Sequence, residues 1–210
     1  MKPTHVLSVV WLISVLTASG LTGCGQRQDV NPVPAVTIAN LQSAYAKSAS
    51  HQAMYAKFAD AATKEHKSAT ARLYRALARS EQIHAEAHAR LIRTIGAEPQ
   101  SPAIQAVAVG TTMQTLKFAC SCEGIEIGSM YPNMIQSANA EKVPDAAAQF
   151  TVIRDADGSQ FDLLNDALQH NGYPTVNKFF VCPGCGRILT ARTRADCPGC
   201  KTPKELLEVI

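Results

Sequence analysis

The sequence predicts a mainly helical protein in which a four-helix bundle precedes a small metal-binding domain. Three observations support this prediction. Apolar residues recur at helical spacing through residues 37–170. Proline and glycine residues fall where the predicted helices begin and end. Two Cys-x-x-Cys pairs, separated by eleven residues, lie close to the C-terminus.

Composition and charge narrow the range of functions. The chain has 210 residues, of which 46% are hydrophobic and 18% are charged, as expected of a soluble protein. The net charge is only +3, and no block of Lys and Arg residues of the kind that neutralises phosphates occurs. We therefore expect no nucleic-acid partner. The seven cysteines fall into three groups, which are Cys24, Cys120 with Cys122, and four cysteines near the C-terminus.

Residues 1–23 are interpreted as a lipoprotein signal peptide and residues 24–36 as a tether. The apolar run at residues 6–16 is too short to cross a bilayer comfortably, but it suits the core of an export signal. The sequence Leu-Thr-Gly-Cys ending at Cys24 resembles a bacterial lipobox, which implies lipidation of Cys24. We expect a lipid-anchored protein on the periplasmic or extracytoplasmic side of the cell envelope. The alternatives are an ordinary cleaved signal and a buried N-terminal helix.

Two long helices are predicted first. Thr37 is predicted as the N-cap of the first helix. The residues expected on its inner face are Leu41, Ala44, Tyr45, Ser48, Tyr55, Phe58 and Ala59. The second helix is predicted to run from Ser68 to Ile95, with Gly96 as its C-terminal stop. Its inner face is expected to carry Leu73, Leu77, Ile83 and Leu91.

A third helix is predicted to run through Met113, Leu116, Ala119, Glu123 and Ile127 towards Glu141. It is expected to kink at Pro132. Pro144 suits the first turn of a fourth helix that continues to His170. This helix carries the apolar residues Phe150, Ile153, Phe161, Leu164 and Leu168. Four such helices can bury their apolar faces only by packing as a bundle.

Four cysteines near the C-terminus are predicted to bind one metal ion; they are Cys182, Cys185, Cys197 and Cys200. Each pair delivers two thiolates from one tight turn, and small residues such as Gly184 and Gly199 permit that turn. Two such turns facing each other give a tetrahedral four-sulfur site, which suits iron or zinc. The alternative is two disulfides, but a disulfide within a Cys-x-x-Cys pair closes a very small ring.

Glu81 and His84 suggest a second metal site, within the bundle. They lie one turn apart on one face of the second helix, the spacing used by carboxylate-bridged di-iron bundles. A solvated pair on a charged helix is the alternative for these two residues. His51 and His88 lie where they could partly compensate for missing ligands, but they are interpreted as surface histidines.

Several landmarks occur in the order in which the rubrerythrin family has them. They are Asn40-Leu41, Ala44-Tyr45-Ala46, Tyr55, Phe58-Ala59, the run from Glu81 to Ala85, and Met130-Tyr131-Pro132, followed by the two cysteine pairs. The chain after the tether thus resembles a rubrerythrin. The resemblance implies a ferritin-like four-helix domain at residues 37–174 and a rubredoxin-like domain, similar to a zinc ribbon, at residues 177–210. It also implies a homodimer.

Only some of the positions that hold iron ligands in the family have matching residues in this chain. Those that match are Glu81, His84, Glu123 and Glu126. Lys47, Ser48 and Ala49 replace a Gly-Glu-Ser stretch of the first helix, and Asp157 and Gln160 replace a glutamate and a histidine of the fourth. We therefore do not expect an ordinary di-iron centre, which needs about four carboxylates. A rebuilt mononuclear or asymmetric site would use Glu81, His84, Glu123, Glu126 and Asp157.

If the resemblance extends to function, an iron on the four cysteines accepts electrons from an unidentified redox partner. It passes them to a metal in the bundle, where peroxide is reduced. The alternative is a non-catalytic envelope lipoprotein in which zinc stabilises the four-cysteine domain and the bundle site is inactive. Ile188 stands where the family often has an aromatic residue, and this departure favours zinc.

Overall fold

Five α-helices and three short strands make up the computed structural model, which describes residues 33–191 and 195–210. The helices are α1 (Ala35–Lys64), α2 (Ser68–Thr94), α3 (Thr112–Ile125), α4 (Tyr131–Ala140) and α5 (Pro144–Gln169). A π-helical turn, Glu126–Met130, joins α3 to α4. The strands are β1 (Phe180–Val181), β2 (Ile188–Leu189) and β3 (Glu208–Val209). The predicted signal peptide and Cys24 lie outside the described residues.

The N-terminus of α1 is capped from a distant part of the chain. The backbone N–H groups of Val36 and Thr37 donate to the Glu141 carboxylate at 3.1 and 2.7 Å. Thr37 was predicted as the N-cap, and that prediction is wrong, because the helix already begins at Ala35. The orphan N–H groups of the first turn thus find their acceptor at the C-terminal end of α4.

The third predicted helix is two helices, α3 and α4, separated by the π-helical turn. Pro132 is the second residue of α4, where its ring and missing N–H prevent an unbroken α-helical ladder with the preceding turn. The π-helical turn absorbs this interruption and begins at Glu126, a predicted metal ligand. Such turns within helices occur frequently at functional sites.

A polar layer divides the bundle core into two apolar clusters. One cluster is built around Tyr55, Phe58, Tyr74, Leu77 and Leu116. The other is built around Leu41, Ile92, Tyr131, Phe150 and Ile153. Each long helix contributes apolar residues to both clusters and buried polar residues between them, and so does α3 together with its π-helical turn. The buried polar residues at this level are Ser48, His51, Glu81, His84, His88, Glu123, Glu126, Asp157 and Gln160. The fold therefore concentrates buried polar groups at one level of the bundle.

The C-terminal strands form an antiparallel sheet in the order β2-β1-β3. Phe179, Val181 and Ile188 belong to the same apolar cluster as the aromatic residues of α1 and α2. Arg79 on α2 forms a bidentate ion pair with Glu208, with both N–O distances at 2.7 Å. The four-cysteine region therefore shares its core with the bundle. None of the described helices has the length and apolar character needed to span a membrane.

Candidate metal centres

The four C-terminal cysteines lie together, as the sequence predicted. Cys182 Sγ is 3.5 Å from Cys200 Sγ, and Cys185 Sγ is 3.6 Å from Cys197 Sγ. A disulfide bond would be about 2.05 Å long, and all four cysteines are free. Four sulfur atoms bonded to one metal ion at about 2.3 Å in a tetrahedron would lie about 3.8 Å apart. The observed spacing therefore fits one ion on four thiolates.

Matching turns hold the two cysteine pairs. The Gly186 N–H donates to the Cys182 carbonyl at 2.8 Å, and the Lys201 N–H donates to the Cys197 carbonyl at 2.9 Å. A hydrogen bond from the Cys185 thiol lowers the pKa of Cys182 to about 4 despite partial burial. Contacts from a nearby hydroxyl and from backbone N–H groups of the turn act in the same direction. This environment favours the thiolate form of Cys182, the form that binds metal, whereas the hydrogen bond with Cys182, together with burial, raises the pKa of Cys185.

Glu81, His84 and Asp157 form the first of two buried groups of potential ligands in the bundle. His84 Nδ1 lies 3.4 Å from Asp157 Oδ1 and 3.8 Å from Glu81 Oε2. The opposite ring nitrogen, Nε2, lies 3.0 Å from the backbone carbonyl oxygen of Cys185. Because that carbonyl can only accept, Nε2 carries a proton, and Nδ1 is the ring nitrogen that faces the carboxylates. This arrangement orients His84 as a metal ligand.

His51, Glu123 and Glu126 form the second group. The Tyr55 hydroxyl donates to Glu123 Oε1 at 2.6 Å. Glu126 Oε1 lies 2.9 Å from Lys47 Nζ, with which it forms an ion pair, and 3.3 Å from His51 Nδ1. Burial lowers the pKa of His51, so its contact with Glu126 is not an ion pair at neutral pH. Burial opposes the charge of Lys47, but the Glu126 carboxylate more than compensates and raises the pKa of Lys47. The ammonium therefore stays charged beside Glu126.

Several buried atoms in these two groups have no hydrogen-bond partner in the described structure. They are Glu81 Oε1, His84 Nδ1, Asp157 Oδ2, His51 Nδ1, Glu123 Oε2 and Glu126 Oε1. Each unsatisfied buried polar atom costs about 1–3 kcal/mol. Burial, together with the neighbouring carboxylates, raises the pKa of Glu126 to about 8 and the pKa values of Glu123 and Asp157 well above their usual range. A bound cation would satisfy these atoms and stabilise the carboxylates, so the residues fit a metal.

All five predicted bundle residues lie in the polar layer, but they belong to two groups rather than one. Glu81, His84 and Asp157 form one group, whereas Glu123 and Glu126 belong to the other.

The interpretation of His51 and His88 as surface histidines is wrong, because both are buried. His51 completes the second ligand group. His88 packs against aromatic rings, and burial lowers its pKa to about 3. Sequence analysis also missed Lys47 as a site residue. The spacing of four residues between Lys47 and His51 places them on one helical face and could have indicated both.

The fold and the two centres define a ferritin-like bundle joined to a rubredoxin-like four-cysteine domain. The rubrerythrin family model matches residues 39–159, and the chain belongs to the rubrerythrin family.

Known relatives share most of their length with this chain. Nigerythrin from Nitratidesulfovibrio vulgaris is 28% identical over 191 residues, covering 91% of this chain and 95% of nigerythrin. Rubrerythrin-2 from Clostridium acetobutylicum is 26% identical, covering 84% of this chain and 97% of its own. A solved structure of fully reduced, all-ferrous nigerythrin superimposes with a TM-score of 0.77 at 28% identity, covering 83% of this chain and 86% of that one.

Proposed function

We propose that this protein binds iron, transfers electrons and reduces peroxide at the bacterial cell envelope. The observation that carries the proposal is the 3.0 Å contact between His84 Nε2 and the Cys185 carbonyl oxygen. One end of the imidazole contacts the backbone of a four-cysteine ligand, and the other end faces Glu81 and Asp157. The two candidate centres are thereby joined by a single side chain. The relatives described above, one of them solved in an all-ferrous state, support iron as the metal.

Iron on four thiolates would supply one-electron transfer, and a redox metal in the bundle would supply the electrons that convert peroxide to water. The residues of the chain have distinct parts in this proposal. His84 directs Nδ1 towards Glu81 and Asp157 because the Cys185 carbonyl fixes its other nitrogen. The Tyr55 hydroxyl orients Glu123. The apolar clusters on either side of the polar layer restrict access of bulk water.

A cavity gives small molecules a path to the second ligand group. It has a volume of about 430 Å³, and its lining includes Lys47, His51 and Cys122. Lys47 and His51 also contact the buried Glu126 carboxylate. Peroxide in this cavity would meet the same side chains that contact the polar layer, and the cavity is large enough to admit it.

The envelope location and the lipid anchor rest on the sequence around Cys24. Radiolabelled fatty acid should be incorporated into the natural chain, and Cys24→Ala should lose both the label and membrane association. Retention of the label in that variant would contradict lipidation at Cys24.

The proposal also includes an electron donor located in the envelope and a homodimeric state. Cross-linking would test for the electron donor, and analytical ultracentrifugation would test for the homodimer.

The second candidate is a non-catalytic module in which zinc occupies the four-cysteine site. The position of Lys47 favours this second candidate. Its ammonium group lies beside Glu126 and supplies part of the positive charge that metal ions would otherwise supply. Anaerobic purification with metal counting and a visible spectrum separates the two candidates. Oxidised iron on four sulfurs is red, whereas a zinc protein is colourless.

The electron path through His84 can be measured directly. The protein is reduced anaerobically and mixed with hydrogen peroxide, and the return of ferric four-sulfur absorption is followed by stopped flow. We expect His84→Gln to slow reoxidation by at least tenfold, because it removes both the Nδ1 ligand and the fixed contact with Cys185. His170→Gln, on the exposed end of α5, should react like the natural protein. Equal rates for all three proteins, with intact four-sulfur spectra, would contradict the proposal.

A further inference from the structure

We infer that the bundle holds one metal ion, on Glu81, His84 and Asp157, because the ammonium of Lys47 takes the place of a second cation. The inference rests on one part of the proposed function, namely that the bundle binds metal. It departs from a paired-metal centre in the number of ions and in the role of Lys47. Its basis is the unequal environment of the two ligand groups.

Lys47 reaches from the surface into the polar layer. Its side chain is 28% exposed and lines the cavity between α1 and α3, whereas the Glu126 side chain is 2% exposed. The ammonium lies 2.9 Å from Glu126 Oε1, and His51 Nδ1 approaches the same oxygen at 3.3 Å. One positive charge is therefore already built into the second ligand group.

The charges of the layer favour a single divalent ion. Its four carboxylates, when ionised, carry four negative charges; they are Glu81, Glu123, Glu126 and Asp157. Two divalent ions alone would balance them, so two ions together with Lys47 would leave excess positive charge in the interior. One divalent ion and Lys47 leave a single negative charge. The donors that contact Glu123 and Asp157, the Tyr55 hydroxyl at 2.6 Å and the Gln160 amide at 2.9 Å, stabilise that charge.

The first ligand group is the better place for that ion. No lysine or arginine contacts Glu81, His84 or Asp157 among the described residues. Each of the three presents an unpaired buried atom, and His84 is held in the ligand orientation by Cys185. The ion on this group would also be the one joined to the four-cysteine site.

The second group keeps part of a ligand set. Glu123 Oε2 and His51 Nδ1 are buried and have no hydrogen-bond partner in the described structure, whereas Glu126 forms an ion pair with Lys47. Removing the ammonium while keeping an apolar side chain of similar length should therefore release Glu126 for a second ion. The role of Lys47 can therefore be tested by counting the metal ions bound to each chain.

The experiment uses the full chain loaded anaerobically with ferrous iron and freed of excess metal. Iron per chain is counted by mass spectrometry, and Mössbauer spectroscopy separates sulfur-ligated iron from iron on nitrogen and oxygen. We expect two ions in the natural protein, half of them sulfur-ligated. Lys47→Met should hold three ions, one third of them sulfur-ligated. Lys47→Arg keeps the charge, and Lys57→Met alters an exposed lysine of α1, so both should remain at two.

Three ions in the natural protein would overturn the inference, and so would two in a folded Lys47→Met variant. If Lys47→Met fails to fold, Lys47→Gln, which also removes the charge, takes its place with the same expected count of three. A natural protein with only its sulfur-ligated ion would overturn the inference and the bundle chemistry of the proposed function together. Loss of peroxide reduction with two ions still bound would count against the proposed function alone and leave the inference standing.

Discussion

Tyr55 holds one of the buried carboxylates in place. Its hydroxyl donates to Glu123 Oε1 at 2.6 Å, and both side chains are fully buried. We expect Tyr55→Phe to lower the free energy of unfolding by about 1–3 kcal/mol, because a buried acceptor loses its donor. Chemical denaturation would measure the change. Tyr45→Phe, a half-buried tyrosine of the same helix, is the control, and an equal loss in both variants would contradict a specific role for the hydrogen bond.

Gly184 allows the first cysteine turn to approach the second. A Cβ atom at Gly184 would collide with Thr202 Oγ1 and lie 3.1 Å from Cys200 Sγ. We expect Gly184→Ala to weaken metal binding by the four cysteines by at least tenfold, as measured by competition with a chelator. At Gly128 an added Cβ meets nothing within 4 Å, so Gly128→Ala should leave the affinity unchanged. Equal affinities for all three proteins would show that the turn tolerates a side chain.

The sequence predicted the residues of the four-cysteine site fully and those of the bundle site in part. Cysteine spacing in two short turns determines which sulfurs meet, because each pair is local. The bundle site depends on side chains from four helices. The family pattern indicated Glu123 and Glu126, but the meeting of Lys47 and His51 with Glu126 depends on how α1 packs against α3 and the π-helical turn. Helical periodicity alone does not determine that packing.

At the level of helices, the cap of α1 predicts a pH dependence. Hydrogen bonds from Thr37, supported by the Val36 N–H, lower the pKa of the Glu141 carboxyl. A lowered pKa means that the cap contributes stability above the ordinary glutamate pKa and loses it as pH falls through the lowered value. NMR titration of the Glu141 carboxyl carbon should give a midpoint below the ordinary glutamate pKa. A midpoint at or above the ordinary value would contradict the cap.

Helix ends were predictable where their causes are local. Gly96 follows α2 with a φ of +83°, and Pro144 begins α5, so single residues mark both boundaries. The start of α1 was mispredicted because its cap, Glu141, lies 104 residues from Thr37. The π-helical turn was also missed, since the proline predicted only an interruption and not its form.

In the whole molecule, the four-cysteine domain and the bundle are expected to unfold together. Phe179, Val181 and Ile188 enter the same apolar cluster as residues of α1 and α2. Ser80 on α2 donates to the Gly186 carbonyl at 2.6 Å, next to the second cysteine of the first pair. Loss of order in the cysteine turns would therefore expose part of the bundle core and leave buried polar groups of α2 without partners.

Removal of metal from the four-cysteine site should accordingly lower the stability of the entire chain. A ligand at 1,000 times its Kd stabilises a folded protein by about 4 kcal/mol. In a chain of this size, each kcal/mol lost from the free energy of unfolding lowers the Tm by about 2–4 °C. Chelation should therefore lower the Tm by on the order of 10 °C. Calorimetry should show one transition before and after chelation. The helical signal at far-ultraviolet wavelengths and the four-sulfur absorption should be lost at the same temperature. Two separate transitions, with the bundle transition unmoved by chelation, would instead show that the shared core does not couple the two parts.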